Sequence, residues 1–393
     1  MSAAAKPKIL VLLSRVPYPL EKGDKLRAYH QIRHLAHQYD IVLCCLNDQS
    51  LHPEALDHLK PLCTEVVVIR LSRWAILRNL ARNVFSDKPF QVAYFYHQSA
   101  RKQIDELIER HLPKHIFCQL VRVTEYVKHY PVIPKTLDYM DALSKGIERR
   151  IEGAPFYLKP LLRMEWKRLQ RYEREVFDRF EGKAIISEQD RDLIDHPSHR
   201  KISVIPNGVD TGYFQPRDKE RDYDVVFTGN MSYPPNIEAA CFLANEVLPV
   251  VRNTLPYAQL LISGANPVPR VRKLEGNGVT VSGWVEDIRD SYARARIFVA
   301  PMLIGTGLQN KLLEAMAMEL PCVTSPLANN ALQAKPGTEI CIAEAPQEFA
   351  AAIIELLSDE AKRSAIAAAG HQFALKNFNW QAKTHELEQL MNI

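Results

Sequence analysis

No window of the 393-residue chain approaches the ~18 consecutive apolar residues that a membrane-spanning helix needs. The early apolar run "ILVLL" is too short for a signal-peptide core followed by a cleavage site. There is no C-x-x-C and no histidine at ligand spacing from a cysteine, which excludes the common zinc and dithiol patterns. The seven cysteines (44, 45, 63, 118, 241, 322 and 341) mostly lie inside apolar runs such as "IVLCCL" and "IFCQL", so reduced, buried thiols and a cytoplasmic location are expected, either free in the cytosol or on the inner face of a membrane. A dominant charge is missing too. Fifty Lys and Arg stand against 46 Asp and Glu, and a net charge of +4 is too weak to announce a nucleic-acid binder. Short repeats and low-complexity tracts are absent.

What is present is an ordinary globular composition, 47% hydrophobic and 24% charged, on a chain long enough for two domains. Short runs rich in Val, Ile and Leu alternate with helical stretches throughout, the signature of parallel sheets covered by helices. Strands are expected at 8–13, 40–46, 65–71, 115–120, 134–139, 183–187 and 201–207, then at 223–229, 258–264, 279–284, 296–301, 321–326 and 339–344. Between the two series "IPNGVDTGYFQPRDKERDYD" has turn residues and charge but no apolar period. This places a linker at 206–222 between domains of residues 1–205 and 223–375. A final helix, 376–393, is expected to cross back to the first domain. Paired doubly wound sheets bind ligands outside the carboxyl ends of their strands.

The segment "IGTGLQNKLLEAMAMELP", residues 304–321, follows one such strand. Its helix is apolar on nearly every side yet carries Lys311 and Glu314, and an unanswered charge in an interior costs several kcal/mol, about 2–7 even for neutral polar groups. Gly305 and Gly307 permit close backbone approach, and the free N–H groups of the first turn, from Gln309 and Asn310 onward, attract an anion. Lys311 opposes the helix dipole there unless a phosphate reverses the balance. Glu314, a turn deeper, suits the vicinal hydroxyls of a ribose. Together they describe a nucleoside diphosphate; the plainer alternatives are a snorkelling lysine and a glutamate paired with a neighbouring helix.

The order "PNGVD" (206–210), "FTGNMSYPPNIEAA" (227–240), "LLISGANP" (260–267) and "VTVSGWVEDIRDSYARARIFVAPMLIGTGLQNKLLEAMAMELPCVTS" (279–325) resembles the C-terminal domain of retaining family-4 glycosyltransferases. In the first half, "SRVPYPLEKGDKLRAYHQIRHLA" and "TLDYMDALS" look like the sugar transferases found with exosortase-linked exopolysaccharide clusters. The resemblance implies an α/β, GT-B fold of two facing Rossmann-like domains with an interdomain cleft, and retaining transfer from a nucleotide-diphosphate sugar to a saccharide or lipid-linked oligosaccharide. It implies that Glu314 holds the donor ribose, that Gly307, Leu308 and Gln309 lie against the diphosphate and sugar, and that the turn at Trp284 and Val285 receives the base. This chain departs from the pattern at Thr306, where members commonly carry a glutamate, and at Asn230, followed by Pro234, Pro235 and Asn236, where many carry Arg and then Lys. The usual first-domain histidine is replaced by "CQLVR", with Leu120 and Arg122. Lys311 is left as the candidate to meet the diphosphate charge.

No cofactor is expected beyond the donor, and no metal. The one D-x-D, "DRD" at 190–192, sits in an apparent helix and reads as surface charge. In the first half Gly23 would allow backbone approach to a ligand, Asp24 reads as an N-cap, and Arg15, Lys25 and Arg27 are candidate phosphate partners or exposed charges. Asp141 is either a helix cap or the base that orients an acceptor hydroxyl; Asp138 shares its strand end. His97 is either an acceptor contact or a capping or core residue. Residues 70–102 hold seven basic groups against one acid and residues 145–174 nine against four, interleaved with aromatics. These suit an anionic membrane surface or a solvated helix face. Two rival functions stay open: a nucleotide-sugar epimerase of similar fold, and an inactive nucleotide-binding scaffold of a polysaccharide complex.

Overall fold

A computed structural model describes residues 6–304 and 307–391. It divides into two compact units, one of residues 1–206 with 380–393 and one of residues 207–379. Each is a parallel sheet covered by helices, the two Rossmann-like domains expected.

In the N-terminal unit the strands are β1 (Lys8–Leu13), β2 (Asp40–Asn47), β3 (Glu65–Arg70), β4 (His115–Gln119), β5 (Lys135–Asp138), β6 (Gly182–Ile185) and β7 (Ser203–Val204), in the order β3-β2-β1-β4-β5-β6-β7. The aliphatic runs of β1 and β2 are what a strand needs when both faces are covered. Side chains divide by alternation. Ile9, Val11, Leu13, Ile41, Leu43 and Cys45 pack with Ile32 and Leu35 on one face; Leu10, Leu12, Val42, Cys44 and Leu46 pack with Ile104, Leu107 and Val176 on the other. The helix Trp380–Met391 belongs to the first face, where Leu387 and Met391 are buried and Trp380 stacks on His30 with centroids 5.0 Å apart.

The C-terminal unit has β8 (Tyr223–Thr228), β9 (Leu260–Ser263), β10 (Val279–Gly283), β11 (Ala295–Ala300), β12 (Cys322–Thr324) and β13 (Cys341–Ile342), in the order β10-β9-β8-β11-β12-β13. Of residues 206–222, expected from sequence to be the interdomain linker, those from 207 onward group with this unit. Val209 is buried, its N–H donates to the Phe378 carbonyl, and Phe214 packs on the core. Sparse apolar anchors without a period are invisible to pattern reading, yet two of them hold the segment.

Both sheets reverse strand order at one place, between β1 and β4 and between β8 and β11. The crevice beyond the carboxyl ends at such a switch point is where this class of sheet takes ligands. All seven cysteines are free thiols, five of them buried. Among the described residues no helix is long and apolar enough to cross a membrane.

Candidate functional site

At the C-terminal switch point the chain must bring two strand ends together. Gly229, after β8, and Gly264, after β9, approach so closely that a Cβ on Gly264 would stand 1.8 Å from the Gly229 carbonyl oxygen. Both have positive φ, +155 and +140 degrees, so glycine is required for conformation as well as for space. A Cβ on Gly229 would meet the Lys311 Nζ at 3.2 Å, so this bare backbone forms one wall of the lysine's chamber.

The helix Asn310–Ala317 begins with no side-chain cap; the Gln309 side chain donates to the Gly307 carbonyl instead. Lys311 in its first turn runs inward. Its Nζ lies 4.6 Å from the centre of the Phe227 ring, 3.9 Å from the Met302 sulfur, and donates to Asn236 Oδ1 at 2.5 Å. Asn236 is itself buried and held by its Nδ2 donating to the Asn230 carbonyl. No carboxylate lies within 4.0 Å of the ammonium among the described residues. Burial pushes the Lys311 pKa down to about 7, with Glu314 opposing the fall.

Glu314, one turn on, is fixed from the side. Tyr292, fully buried, donates its hydroxyl to Glu314 Oε2 at 2.7 Å and lies 2.8 Å from the Thr228 hydroxyl. Among the described residues nothing donates to the other carboxylate oxygen. Burial raises the pKa of Glu314, and the tyrosine bond and Lys311 oppose that rise. The helix Ile288–Ala293 that carries Tyr292 is pinned by Asp287, whose side chain caps it, and by Arg217, 3.0 Å from Asp287 and 2.8 Å from Asp290. A row of hydroxyls, Ser282, Ser263 and Ser291, links the neighbouring strand ends at 3.0 and 2.7 Å.

Other expectations at this edge fare differently. Asn230, which stands where the resembled family commonly carries Arg, turns its Oδ1 to the Ser232 N–H and hydroxyl, so it shapes the loop and holds Asn236 through its carbonyl. Asn310 Oδ1 accepts from Asn207. Leu308 packs on the core, and a Cβ added to Gly307 would meet no atom within 4 Å, so that side of the backbone is open. Val285 lines a cavity of about 720 Å³ shared with Ser282, Ser291 and Arg289. Trp284 and Tyr233 are exposed. Gly305 and Thr306 lie outside the described residues.

In the N-terminal unit Gly23 opens the helix Gly23–Leu35 and is exposed, with free space around it. Asp24 is not its cap: Lys22 holds that position, and Asp24 Oδ2 pairs with Arg15 at 2.8 Å. Arg27 is not a phosphate partner either. It is fully buried and ion-paired with Asp138 at 2.5 Å, while Gln31 donates to the same carboxylate. Lys25 lies 3.5 Å from Glu21. His97 is buried at the N-cap position of the helix Gln98–His111, with Nε2 3.3 Å from the Tyr94 carbonyl and its pKa lowered by burial, a structural role. Asp190 of "DRD" is buried against Ser187 rather than a surface charge. Among the described residues no group of His, Cys, Asp and Glu is placed to hold a metal ion.

Asp141 does not cap the next helix, Leu143–Glu152, whose first amides turn to the buried Glu173. It follows Met140, a non-glycine residue at φ +64 degrees, at the carboxyl end of β5. Asp141 itself reaches the surface, yet the protein packed around its carboxyl, together with Asp190, pushes the pKa up to about 6, with Arg122 opposing. Sequence reading missed Tyr292 and the ammonium-holding role of Asn236. The legible trace of Tyr292 is a tyrosine ending a short polar helix just before a buried strand.

Residues 222–359 match the family model described as "Glycosyl transferases group 1". An uncharacterized 44.6 kDa protein in the cps region of Klebsiella pneumoniae is 22% identical over 391 residues, covering 95% of this chain and 96% of its own length. Among solved structures, the sucrose-phosphate synthase of Thermosynechococcus elongatus superposes with a TM-score of 0.67 at 15% identity, covering 98% of each chain. Anabaena Alr3699/HepE, in complex with UDP, superposes with a TM-score of 0.69 at 13% identity, covering 98% of this chain and 99% of its own. The fold is GT-B, and the domain match supports a glycosyltransferase.

Lys311 generates a stability prediction. Its folded-state pKa of about 7 lies below the unfolded value of 10.5, so the native state binds fewer protons than the unfolded state between those limits. Stability rises with pH through that window, and the cost of the buried charge is full below pH 7. Lys311→Met is therefore expected to stabilise the ligand-free protein, on the order of 1–2 kcal/mol at pH 6, with the gain shrinking toward pH 10. Urea denaturation at pH 6 and pH 9.5 measures it; a gain that grows with pH would contradict the assignment.

Proposed function

We propose that this protein transfers a sugar from a nucleotide-diphosphate donor, with retention of configuration, to a saccharide or lipid-linked acceptor in exopolysaccharide assembly. The observation that carries the reading is the pairing on one short helix of a cation lacking a carboxylate partner with a carboxylate anchored on one oxygen only, both at a switch point. Bond cleavage leaves charge on the diphosphate, and a lysine already in place, protonated once the diphosphate binds, stabilises it together with oriented amides from Gly307 to Gln309. Lys311 takes that role. Glu314 offers its open oxygen to the ribose diol while Tyr292 holds the other. Asp141, with a pKa of about 6, suits the orientation and deprotonation of an acceptor hydroxyl. Retention is carried over from the resemblance of residues 279–325. The cps-region relative, similar over nearly its whole length, supports a polysaccharide setting.

Glu314 is tested by comparing nucleoside diphosphates with their 2′-deoxy analogues by calorimetry, across the common bases. Wild type is expected to prefer the ribose form by about tenfold, roughly 1.4 kcal/mol, and Glu314→Ala to lose that preference. Equal discrimination by both proteins would refute the diol contact.

We further propose that the acceptor is met at an anionic membrane surface. The helices Arg73–Asn83 and Lys159–Phe177 adjoin, since Arg168 donates to the Asn83 and Val84 carbonyls and lies over the Phe90 ring. Around them Trp74 is 83% exposed, Phe85 95% and Phe156 85%, with Arg73, Arg78, Arg82, Arg163 and Lys167 also exposed. Aromatic rings beside cations on one surface suit anionic lipid headgroups. Flotation with vesicles containing one-third phosphatidylglycerol is expected to carry the protein upward, and pure phosphatidylcholine vesicles not. Replacing Trp74, Phe85 and Phe156 by Ser should cut recovery at least fivefold; unchanged recovery would rule the surface out.

A further inference from the structure

The N-terminal sheet has its own switch point, and its electrostatics are uneven. Arg15 follows β1 and Arg122 follows β4, the two strands between which the order reverses. Gln119, the last residue of β4, donates to the Asp24 carbonyl and ties that strand end to the start of the first helix. Arg15 uses one terminal nitrogen on Asp24, while its Nε is buried with no acceptor. Arg122 is more exceptional. Two of its nitrogens converge on a single neutral oxygen, Gln91 Oε1, at 3.0 and 2.7 Å. Its guanidinium lies 5.7 Å from the Phe95 ring centre, and no carboxylate lies within 4.0 Å of it among the described residues. Gln91 is in turn fixed through its backbone N–H, which donates to Glu165 at 3.0 Å. The arginine is therefore held rigidly by a group that does nothing for its charge.

The backbone beneath it is unusual. Leu120, between β4 and Arg122, sits at φ +66 and ψ +146 degrees, a region that glycine alone occupies readily. Met140, at the end of the adjacent strand β5, is also at positive φ. Two such residues side by side aim the strand ends rather than relax them. Burial and the nearby Arg15 lower the Arg122 pKa, while Asp24 and Asp141 oppose, which marks these four groups as one cluster.

We propose that Arg122, with Arg15 on the neighbouring strand end, receives a negatively charged substrate group, a phosphate or a carboxylate, at the switch point of the N-terminal sheet. A planar guanidinium held on one edge still presents Nη1 and the second N–H of Nη2 as a fork to two oxygens. The chemistry is shared by the diphosphate of a donor, a phosphate-linked acceptor and an acidic sugar. Only the identity of these substrates rests on the proposed glycosyl transfer; the anion site does not.

The test uses the full chain carrying Lys311→Met, which removes the other cation from the readout, so that its result is separable from any failure of the donor assignment. Inorganic pyrophosphate, methyl glucuronoside and neutral methyl glucoside are titrated by calorimetry. Pyrophosphate or the glucuronoside is expected to bind at least fivefold more tightly than the glucoside. Adding Arg122→Gln should abolish that difference, and Arg122→Lys should restore part of it. Selective loss of pyrophosphate points to a phosphate-bearing source, and selective loss of the glucuronoside to an acidic sugar. Should Arg122→Gln fail to fold, Arg15→Gln, on the neighbouring strand end, is expected to weaken the same anion at least threefold. Binding of all three ligands alike, or anion preference unchanged by both substitutions, overturns the proposal.

Discussion

The C-terminal unit is organised around one ammonium group taken out of water without a carboxylate to receive it. Phe227, Met302 and the bare backbone of Gly229 enclose the Lys311 Nζ, and a single amide oxygen answers it. Leaving a charge so placed is costly, and on the proposed reading a bound diphosphate supplies the missing partner. Neighbouring features follow from this constraint. The glycines at 229 and 264 must lack side chains for the strand ends to close over the lysine, and Asn236 must be buried and tethered to hold it. Tyr292 must reach the strand edge so that the next charge along, Glu314, keeps one oxygen fixed.

The N-terminal unit repeats the logic with different parts. It too places a cation at the end of a central strand, leans it on a neutral amide, and strains the backbone to aim it. It differs in keeping carboxylates nearby, Asp24 and Asp141, one of them raised toward neutral pH. The contrast with Arg27 is instructive. That arginine is as deeply buried as a residue can be, but Asp138 meets it directly, so it braces a helix on a sheet, out of a ligand's reach.

Strand positions were legible because most are short runs rich in Val, Ile and Leu bounded by turn residues, and all thirteen expected runs carry a strand. The buried charges of the helix Asn310–Ala317 were legible for a related reason: charges inside an otherwise apolar pattern are conspicuous. What escaped was decided by long-range pairing. Arg27 and Asp138 are 111 positions apart, and Lys311 and Asn236 are 75 apart, so neither partnership leaves a local trace. Asp24 and Asp141 look like helix caps in sequence because acids near helix starts usually are. In the fold Arg15 claims the first, and the second stands before a helix whose amides already have Glu173. Residues 207–222 misled in the opposite sense, since turn composition hid the apolar anchors Val209 and Phe214.

In the proposed donor site Lys311 waits nearly neutral and becomes charged when phosphate arrives. With a pKa of about 7, Lys311 is about nine-tenths deprotonated at pH 8, and a bound diphosphate should return its proton. Calorimetry of nucleoside diphosphate binding at pH 8, repeated in buffers of different ionisation enthalpy, counts that proton directly. Uptake close to one proton per site in wild type, and near zero in Lys311→Met, is the expected result. Binding with no proton uptake in wild type, or the same uptake in both proteins, would contradict it.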